Sequence, residues 1–522
     1  MKTILMKEIG SGKAKRIAVA LILALVPLVV ILPLPALTAA ITVDTLIDES
    51  DGSCTDGDCS LRDAIAVAAA GDTINFDVTG TITLTLDQLT IDKHLTITGP
   101  GAGDLTISGD ETHRVFWINE DVHATLSGIT IADGRGEDED GGGIFNRGGM
   151  LTVSACTFNN NSATYDGGAI SNRFDGTLHV ADSAFVSNTS RRGAGIDNRD
   201  TLIVANSAFT GNVASTWGGG IYNYKGVVTV TGSTFSKNGD YTDAGGGINN
   251  HKGRFDLRDS VFSANNADGA DGGGGVYNED QLTVVNSDFL DNTASRGGGI
   301  TNNGALTITG STFSNNSAMY GGGIENFSDL SVRATTFYSN TVVDTGGGIC
   351  NHGSLTVTNS TFYSNTAGTR GGGINHNEGT LHVTNSTFVG NRAYDSGGGL
   401  RNEETATLIN TLMAENLTGG NCAGAALESA STHGLSTDVT CSPGFTQTTG
   451  AALALDWQGW VFEVMTDSVA IDTGTNVGCP ATDQLGQRRP QDGDDDGTAV
   501  CDVGAYELAV ADQLIYLPLI LR

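Results

Sequence analysis

Two groups of residues in this chain have the type and spacing to do chemistry. The first is Asp492-Gly493-Asp494-Asp495-Asp496-Gly497, with carboxylates at alternate positions before a glycine. This is the first half of a D-x-D-x-D-G loop, which turns hard oxygen ligands toward one cation, calcium above all. The twelfth position is Val503 rather than Glu and no helix is expected before the loop, so an exposed acidic turn is the competing reading. The second group stands immediately before successive glycine clusters: Asp140, Asp166, Arg192, Trp217, Arg296, Tyr320 and Arg370. Stacked in space, these side chains would line a groove for a sugar chain. Glycoside hydrolysis needs two carboxylates roughly 5–9.5 Å apart, and a lyase needs a base and a cation to neutralise a uronate. Asp268, Asp271 and Asp280, in the widest interval between clusters, are the other catalytic candidates.

The elements that would position these residues are repeats. A glycine cluster followed by an aliphatic residue recurs at Ile144, Ile170, Ile196, Ile221, Ile248, Val276, Ile300, Ile324, Ile349, Ile374 and Leu400, at intervals of 24 to 28 residues. That period, with strand bursts too short for hairpins and no leucine ladder, predicts an all-β right-handed parallel β-helix with about 25 residues per coil. Recurrence also rules out a phosphate-binding reading of the glycines. Strand alternation places the aliphatic residue inward. The next residue (Phe145, Ser171, Asp197, Tyr222, Asn249, Tyr277, Thr301, Glu325, Cys350, Asn375 or Arg401) is placed outward, as an exposed and variable face. The residue after it is an inward asparagine in all but one repeat, including Asn172, Asn198, Asn223 and Asn302, with His376 as the exception. Such amides stack into a ladder along the axis.

A second ladder is aromatic and runs from Phe158 to Phe388 through Phe209, Phe235, Phe313 and Phe362. Met413 closes it, and three residues after each member comes an asparagine (Asn161 to Asn416), suited to a turn with left-handed backbone or a local side-chain bond. Two residues before each ring is Ser or Thr, replaced once by Cys156, which is therefore expected to be a buried, inert thiol. Cys350 falls on the outward parity, where it would be reactive or intermolecular. The two signatures, Gly-Gly-(Ala/Gly)-Ile and Phe-x-x-Asn, resemble the repeats of the chlamydial polymorphic outer membrane proteins over roughly residues 141–416. The resemblance implies a β-helix, surface display and adhesion. It does not extend to the membrane β-barrel in which those proteins end.

Residues 1–40 read as an export signal: a basic segment to Arg16, an apolar run Ile17–Leu32, then small residues. Residues 41–125 form an N-terminal cap and irregular first coils. Ser60 suits an N-cap, and Leu61, Ala64, Ile65 and Ala68 fall on one helical face, so a short helix covers the open end. Cys59-Ser60-Leu61-Arg62-Asp63-Ala64 resembles a motif near the start of many secreted bacterial β-helix proteins. The regular repeats occupy 126–416, and 417–510 is a C-terminal cap. Its segments Ala470-Ile471-Asp472-Thr473-Gly474 and Cys501-Asp502-Val503-Gly504-Ala505-Tyr506-Glu507 are similar to the "choice-of-anchor Q" region of secreted β-helix proteins, which implies surface attachment. Residues 511–522 form a short apolar tail, a sorting segment or a final strand. Proximity pairs Cys54 with Cys59, Cys422 with Cys441 and Cys479 with Cys501, as an oxidising compartment allows.

The formal net charge is −32, or −36 once residues 1–40, with five bases and one acid, are removed. Such a field repels nucleic acid and anionic lipid, leaving the membrane accessible only through an anchor. The intervals are uniform, the acids of the pre-glycine position occur in only two repeats, and no catalytic set of the pectinase kind is present. The expected function is therefore an exported, monomeric, adhesin-like scaffold that binds carbohydrate or protein ligands through its outward face, with calcium as the one candidate cofactor. A β-helix polysaccharide lyase or glycoside hydrolase is the alternative.

Overall fold

The computed structural model describes residues 39–509 except 56, 138–139 and 240–242. The export segment, apart from its last two residues, and the apolar tail lie outside the described residues. The chain winds as a parallel β-solenoid of about 14 turns with about 26 residues per turn. Each turn gives one strand to each of three parallel sheets, which hold 14, 15 and 16 strands among the described residues. The 14-stranded sheet carries the aliphatic–x–Asn segments, such as Ile349–Asn351. The 15-stranded sheet, after its first three strands, is built of five-residue strands such as Thr177–Ala181, whose Leu178 and Val180 point inward. The 16-stranded sheet carries the phenylalanines, as in Thr312–Ser314. Within these three sheets register is kept from coil to coil: Ile144 pairs with Ile170, Ile170 with Ile196, and Ile196 with Ile221.

The glycine clusters are the corner that lets coils lie this close. Gly371 has φ +64°, and a Cβ on Gly373 would sit 2.5 Å from the Gly399 carbonyl and 2.9 Å from the Phe388 ring. The rings from Phe158 to Phe388 stack 4.5–5.0 Å apart and within 10° of parallel. From Asn146 to Asn351 each amide Nδ2 donates to the Oδ1 of the next coil at 2.7–3.0 Å, and Asn351 reaches His376 Nδ1 at 2.9 Å.

The Phe-x-x-Asn asparagines differ from the turn role expected for them. The left-handed residue is the one before, as at Ser187 (φ 54°) and Lys237 (φ 54°). The asparagines themselves make a second buried ladder, Nδ2 to Oδ1 at 2.8–3.0 Å from Asn161 to Asn421. From Asn188 to Asn416 each also donates to a phenylalanine carbonyl, as Asn316 does to Phe289, while Asn161 and Asn421 donate to the Ile131 and Met413 carbonyls. The amide serves the coil above it and leaves its own turn to the neighbouring residue.

At the N-terminal end helix Leu61–Val67 covers the first coil, with Ser60 Oγ accepting from the Asp63 amide at 3.0 Å. Leu61, Ala64, Ile65 and Ala68 join the solenoid core. At the other end the winding continues past Asn416: strands Cys422–Gly424, Gly434–Ser436 and Phe445–Gln447 extend two of the sheets. Residues from about 450 to 507 then double back along the outer face of the phenylalanine sheet. Thr336, Thr361 and Thr387, whose counterparts in earlier coils are half-buried or exposed, are buried there. Gln484 bonds both Thr336 and Thr361, and the Ala505 amide bonds Thr387. Tyr363 packs on Trp457 at 4.6 Å. The C-terminal region is thus a lateral flap as well as an end cover. Disulfides Cys54–Cys59, Cys422–Cys441 and Cys479–Cys501 pin the two irregular ends.

The residue after the inward aliphatic is not exposed. Phe145, Ser171, Asp197, Tyr222, Asn249, Tyr277, Thr301, Glu325, Cys350 and Asn375 are all buried, and only Arg401 is half-exposed. Alternation points these side chains away from the coil interior, as predicted. However, where the residues five before and two after carry longer side chains these close over it, as Trp217 does over Tyr222 and as Thr345 and His352 do over Cys350; before Asn249 and Tyr277 the position holds only Ala244 and Gly272. Cys350 is therefore a buried thiol pushed up to about 12 by burial, not the reactive one expected. Cys156 is buried as well, and burial pushes it up to about 11.

Candidate functional site

The three rows just described make a trough along the 14-stranded sheet. One wall is the pre-glycine row: Asp140, Asp166, Arg192, Trp217, Arg296, Tyr320 and Arg370 are its larger members. Their backbones pair in parallel, Asp166 with Arg192 and Arg296 with Tyr320. The floor is the row from Phe145 to Arg401. The other wall is the residue after each ladder asparagine, including Arg147, Arg173, Arg199, Tyr224, His251, Phe327 and His352.

The walls meet over the floor in the early coils. Arg173 contacts Asp140, reaches Asp166 at 2.5 Å and donates from Nε to Asp197 at 2.9 Å. Arg192 grips Asp166 with two nitrogens, at 2.7 and 2.5 Å, and Arg199 reaches it at 2.9 Å. Burial pushes the Asp166 carboxyl up, but the Arg192 hydrogen bond and the charges of Arg192, Arg173 and Arg199 hold it below the usual carboxylate range. At Asp197 burial outweighs Arg173 and Arg199, and the carboxyl is held above that range. Asp140 moves the same way for the same reason. Both Asp166 and Asp197 are at most 1% exposed, so arginines seal them from anything lying in the trough.

Aromatic rings continue this cluster. Arg192 lies over Trp217 and Tyr222 at 5.8 and 5.3 Å, and Arg199 over Tyr224 at 5.4 Å. Trp217 stacks on His251 at 5.8 Å. At the N-terminal end, Trp117, Phe145, Phe174 and Tyr165 line a cavity of about 280 Å³ with Arg114 and Arg147. Farther along, Asp271, Arg296, Thr301, Asn303 and Phe327 line one of about 410 Å³. Several floor atoms are buried without a hydrogen-bond partner: Asp197 Oδ1, Tyr222 Oη, Asn249 Oδ1, Glu325 Oε2 and Asn375 Oδ1. Buried polar groups are rarely left so, and here they recur along one line.

Asp268, Asp271 and Asp280 do not assemble into a site. All three are exposed, only Asp271 lines the trough, and no hydrogen bond or ion pair joins any two of them among the described residues. The acidic turn differs in membership from the sequence reading: the carboxylates that lie within 4.8 Å of one another are Asp472, Asp492 and Asp494. Asp496 turns aside to accept from the Thr498 amide at 2.8 Å. Asp472 is fixed by three backbone amides, from Gly493, Asp494 and Val500.

A sequence profile of the Chlamydia polymorphic membrane protein repeat matches residues 155–173 and 206–224, two stretches each running from a Phe-x-x-Asn turn region into the trough strand. No curated protein matches the chain. Among solved structures, the chain is similar to the PL6-family alginate lyase AlyGC at 13% identity and TM-score 0.41, covering 84% of this chain and 58% of that one. It is similar to the pectate lyase Pel9A at 13% identity and TM-score 0.25, over 90% of this chain and 96% of that one. A PL6-family polysaccharide lyase from Pseudopedobacter saltans gives 13% identity and TM-score 0.32, over 81% and 90%. The chain thus spans little more than half the length of AlyGC. At these identities and scores the likenesses carry no argument about activity.

Proposed function

We propose that this chain is an extracellular or surface-displayed β-solenoid scaffold whose trough binds an extended glycan. The observation that carries the reading is the run of accessible aromatic rings along the trough, Trp117, Phe174, Trp217, Tyr224 and Phe327, beside two cavities that several of them line. A pyranose chain offers alternating hydroxyl edges and apolar ring faces, and one coil rises by roughly 4.8 Å, close to the rise of one sugar in an extended chain. The net charge of −32 repels polyanions, so neutral or weakly charged glycans are favoured. Catalysis is disfavoured because Asp166 and Asp197 are enclosed by arginines and cannot touch a sugar. The three disulfides and the repeat match support an oxidising location outside the cytoplasm. The apolar tail and the flap, with its anchor-like segments, would provide attachment, and the rod works as a monomer because both ends are covered.

The test is a screen of the full chain against soluble polysaccharides. Retention by a neutral glycan should weaken at least about tenfold in Trp217→Ala, a loss of about 1.4 kcal/mol. Binding that ignores substitutions at Trp217 and Phe174 would remove the trough as the site. Depolymerisation that disappears in Asp166→Asn would replace the scaffold reading by an enzyme.

A calcium ion is a second, separate reading at the acidic turn, favoured by the convergence of Asp472, Asp492 and Asp494. Calorimetric titration should show saturable calcium binding that Asp494→Ala removes and Asp496→Ala leaves intact. Equal loss in both variants would return the turn to a purely structural role.

A further inference from the structure

One cluster on the trough floor has no part in the glycan reading. Glu325 and Cys350 face each other in register on adjacent strands, Ile324–Asn326 and Ile349–Asn351. His352 stands two residues beyond Cys350, so alternation brings it to the same face. Its Nε2 lies 3.4 Å from Cys350 Sγ and 3.7 Å from Glu325 Oε1. One ligand atom from each of the three residues falls within 4.8 Å of the others. Around an ion bound at roughly 2.0–2.3 Å, tetrahedral ligand atoms stand about 3.3–3.8 Å apart. The two contacts to His352 already have that length.

Two further observations point to a ligand. Glu325 is fully buried, and its Oε2 has no hydrogen-bond partner. Arg296 meets only Oε1, at 2.9 Å, from a side chain that is 38% exposed and lies over the Tyr320 and Phe327 rings. In addition, three groups surround the sulfur: the Thr345 hydroxyl at 3.5 Å, and the amides of Asn375 and Asn377, each at 3.8 Å. Donors of this kind form the outer shell that orients and tunes a thiolate ligand. Phe327 stacks on the His352 ring at 5.0 Å and 9°, fixing its plane.

We propose that Glu325, Cys350 and His352 form a site for a borderline divalent transition-metal ion, zinc(II) foremost, on the floor of the trough. One sulfur, one nitrogen and one oxygen is a donor set that suits zinc and not calcium or magnesium. Binding displaces the Cys350 proton to solvent, and the thiolate donates its electron pair to the ion, with no change of oxidation state. Three protein ligands leave a fourth position open toward the trough, beside the cavity lined by Arg296 and Phe327.

The experiment is a titration of the metal-stripped full chain with cobalt(II), followed by absorption. The expected result is a thiolate-to-cobalt charge-transfer band with intense tetrahedral d–d bands, saturating at one ion per chain and displaced by zinc(II). Cys350→Ser should abolish the charge-transfer band. His352→Ala, at a half-exposed position, should weaken affinity at least about tenfold while leaving the circular dichroism of the fold unchanged. Cys156→Ser should change nothing. A parent chain that shows no charge-transfer band, or a band that survives in Cys350→Ser or disappears in Cys156→Ser, overturns the assignment.

Discussion

A single rung illustrates how the coils hold together. Phe313 lies between Phe289 at 4.6 Å and Phe337 at 5.0 Å, fully buried, so Phe313→Ala removes two stacked contacts and leaves a cavity that the rigid coils cannot close. The expected cost is about 3–5 kcal/mol, read from denaturant unfolding. Asn302 accepts from Asn278 and donates to Asn326 and Gly304. Asn302→Ala leaves one hydrogen of the Asn278 amide unpaired, the other still bonding the Asp280 carbonyl, and is expected to cost about 1–3 kcal/mol, whereas Asn302→His, which the chain itself uses at position 376, should cost less. Both ladders were legible because a fixed interval and one residue type imply stacking. The floor row was not. Alternation tells which way Asp197, Tyr222 or Glu325 points, but not that residues from the next corner and the next turn fold over it. Arg147, Arg173 and Arg199 recur at intervals of 26 residues one place after the ladder amide, and that spacing beside Asp166 was the available signal for the missed charge cluster.

The flap is the element whose stability depends most plainly on pH. Within it Arg489 and Glu507 are both fully buried and 3.3 Å apart. Burial pushes Glu507 up to about 7 and Asp502 up to about 6, against the pull of Arg489. A carboxyl raised in the folded state binds its proton more tightly there than in the unfolded chain, so folding is favoured when both groups are protonated. That contribution is complete below about pH 4, near the unfolded values, and is lost as pH rises through 6 and 7. The urea midpoint followed by fluorescence of Trp457, which sits on Tyr363, should therefore be higher at pH 5 than at pH 8. The difference should shrink in Glu507→Gln; an unchanged difference would assign the effect to other groups. The composition of this region, with its paired cysteines, pointed to an ordered C-terminal unit. Its lateral docking on Thr336, Thr361 and Thr387 was hidden, because those threonines look like any other half-exposed strand position.

On the scale of the molecule, each coil touches only the coil before and the coil after it, apart from those under the flap. Stability is then close to a sum of identical terms and neighbour interfaces. Residues 297–320 make one complete coil, beginning and ending at equivalent points of the corner. Their removal would join Arg296 to Gly321 and let Asn278 meet Asn326. The shortened chain should fold with an unchanged circular dichroism shape and a trough shorter by roughly 4.8 Å, while removing half of that stretch should prevent folding. The unbroken register of Ile144, Ile170, Ile196 and Ile221 therefore has a consequence for inheritance. Recombination between such near-identical units can duplicate or drop a coil in one event, changing the reach of the trough in fixed steps and moving new wall and floor residues past one another without disturbing the frame that holds them.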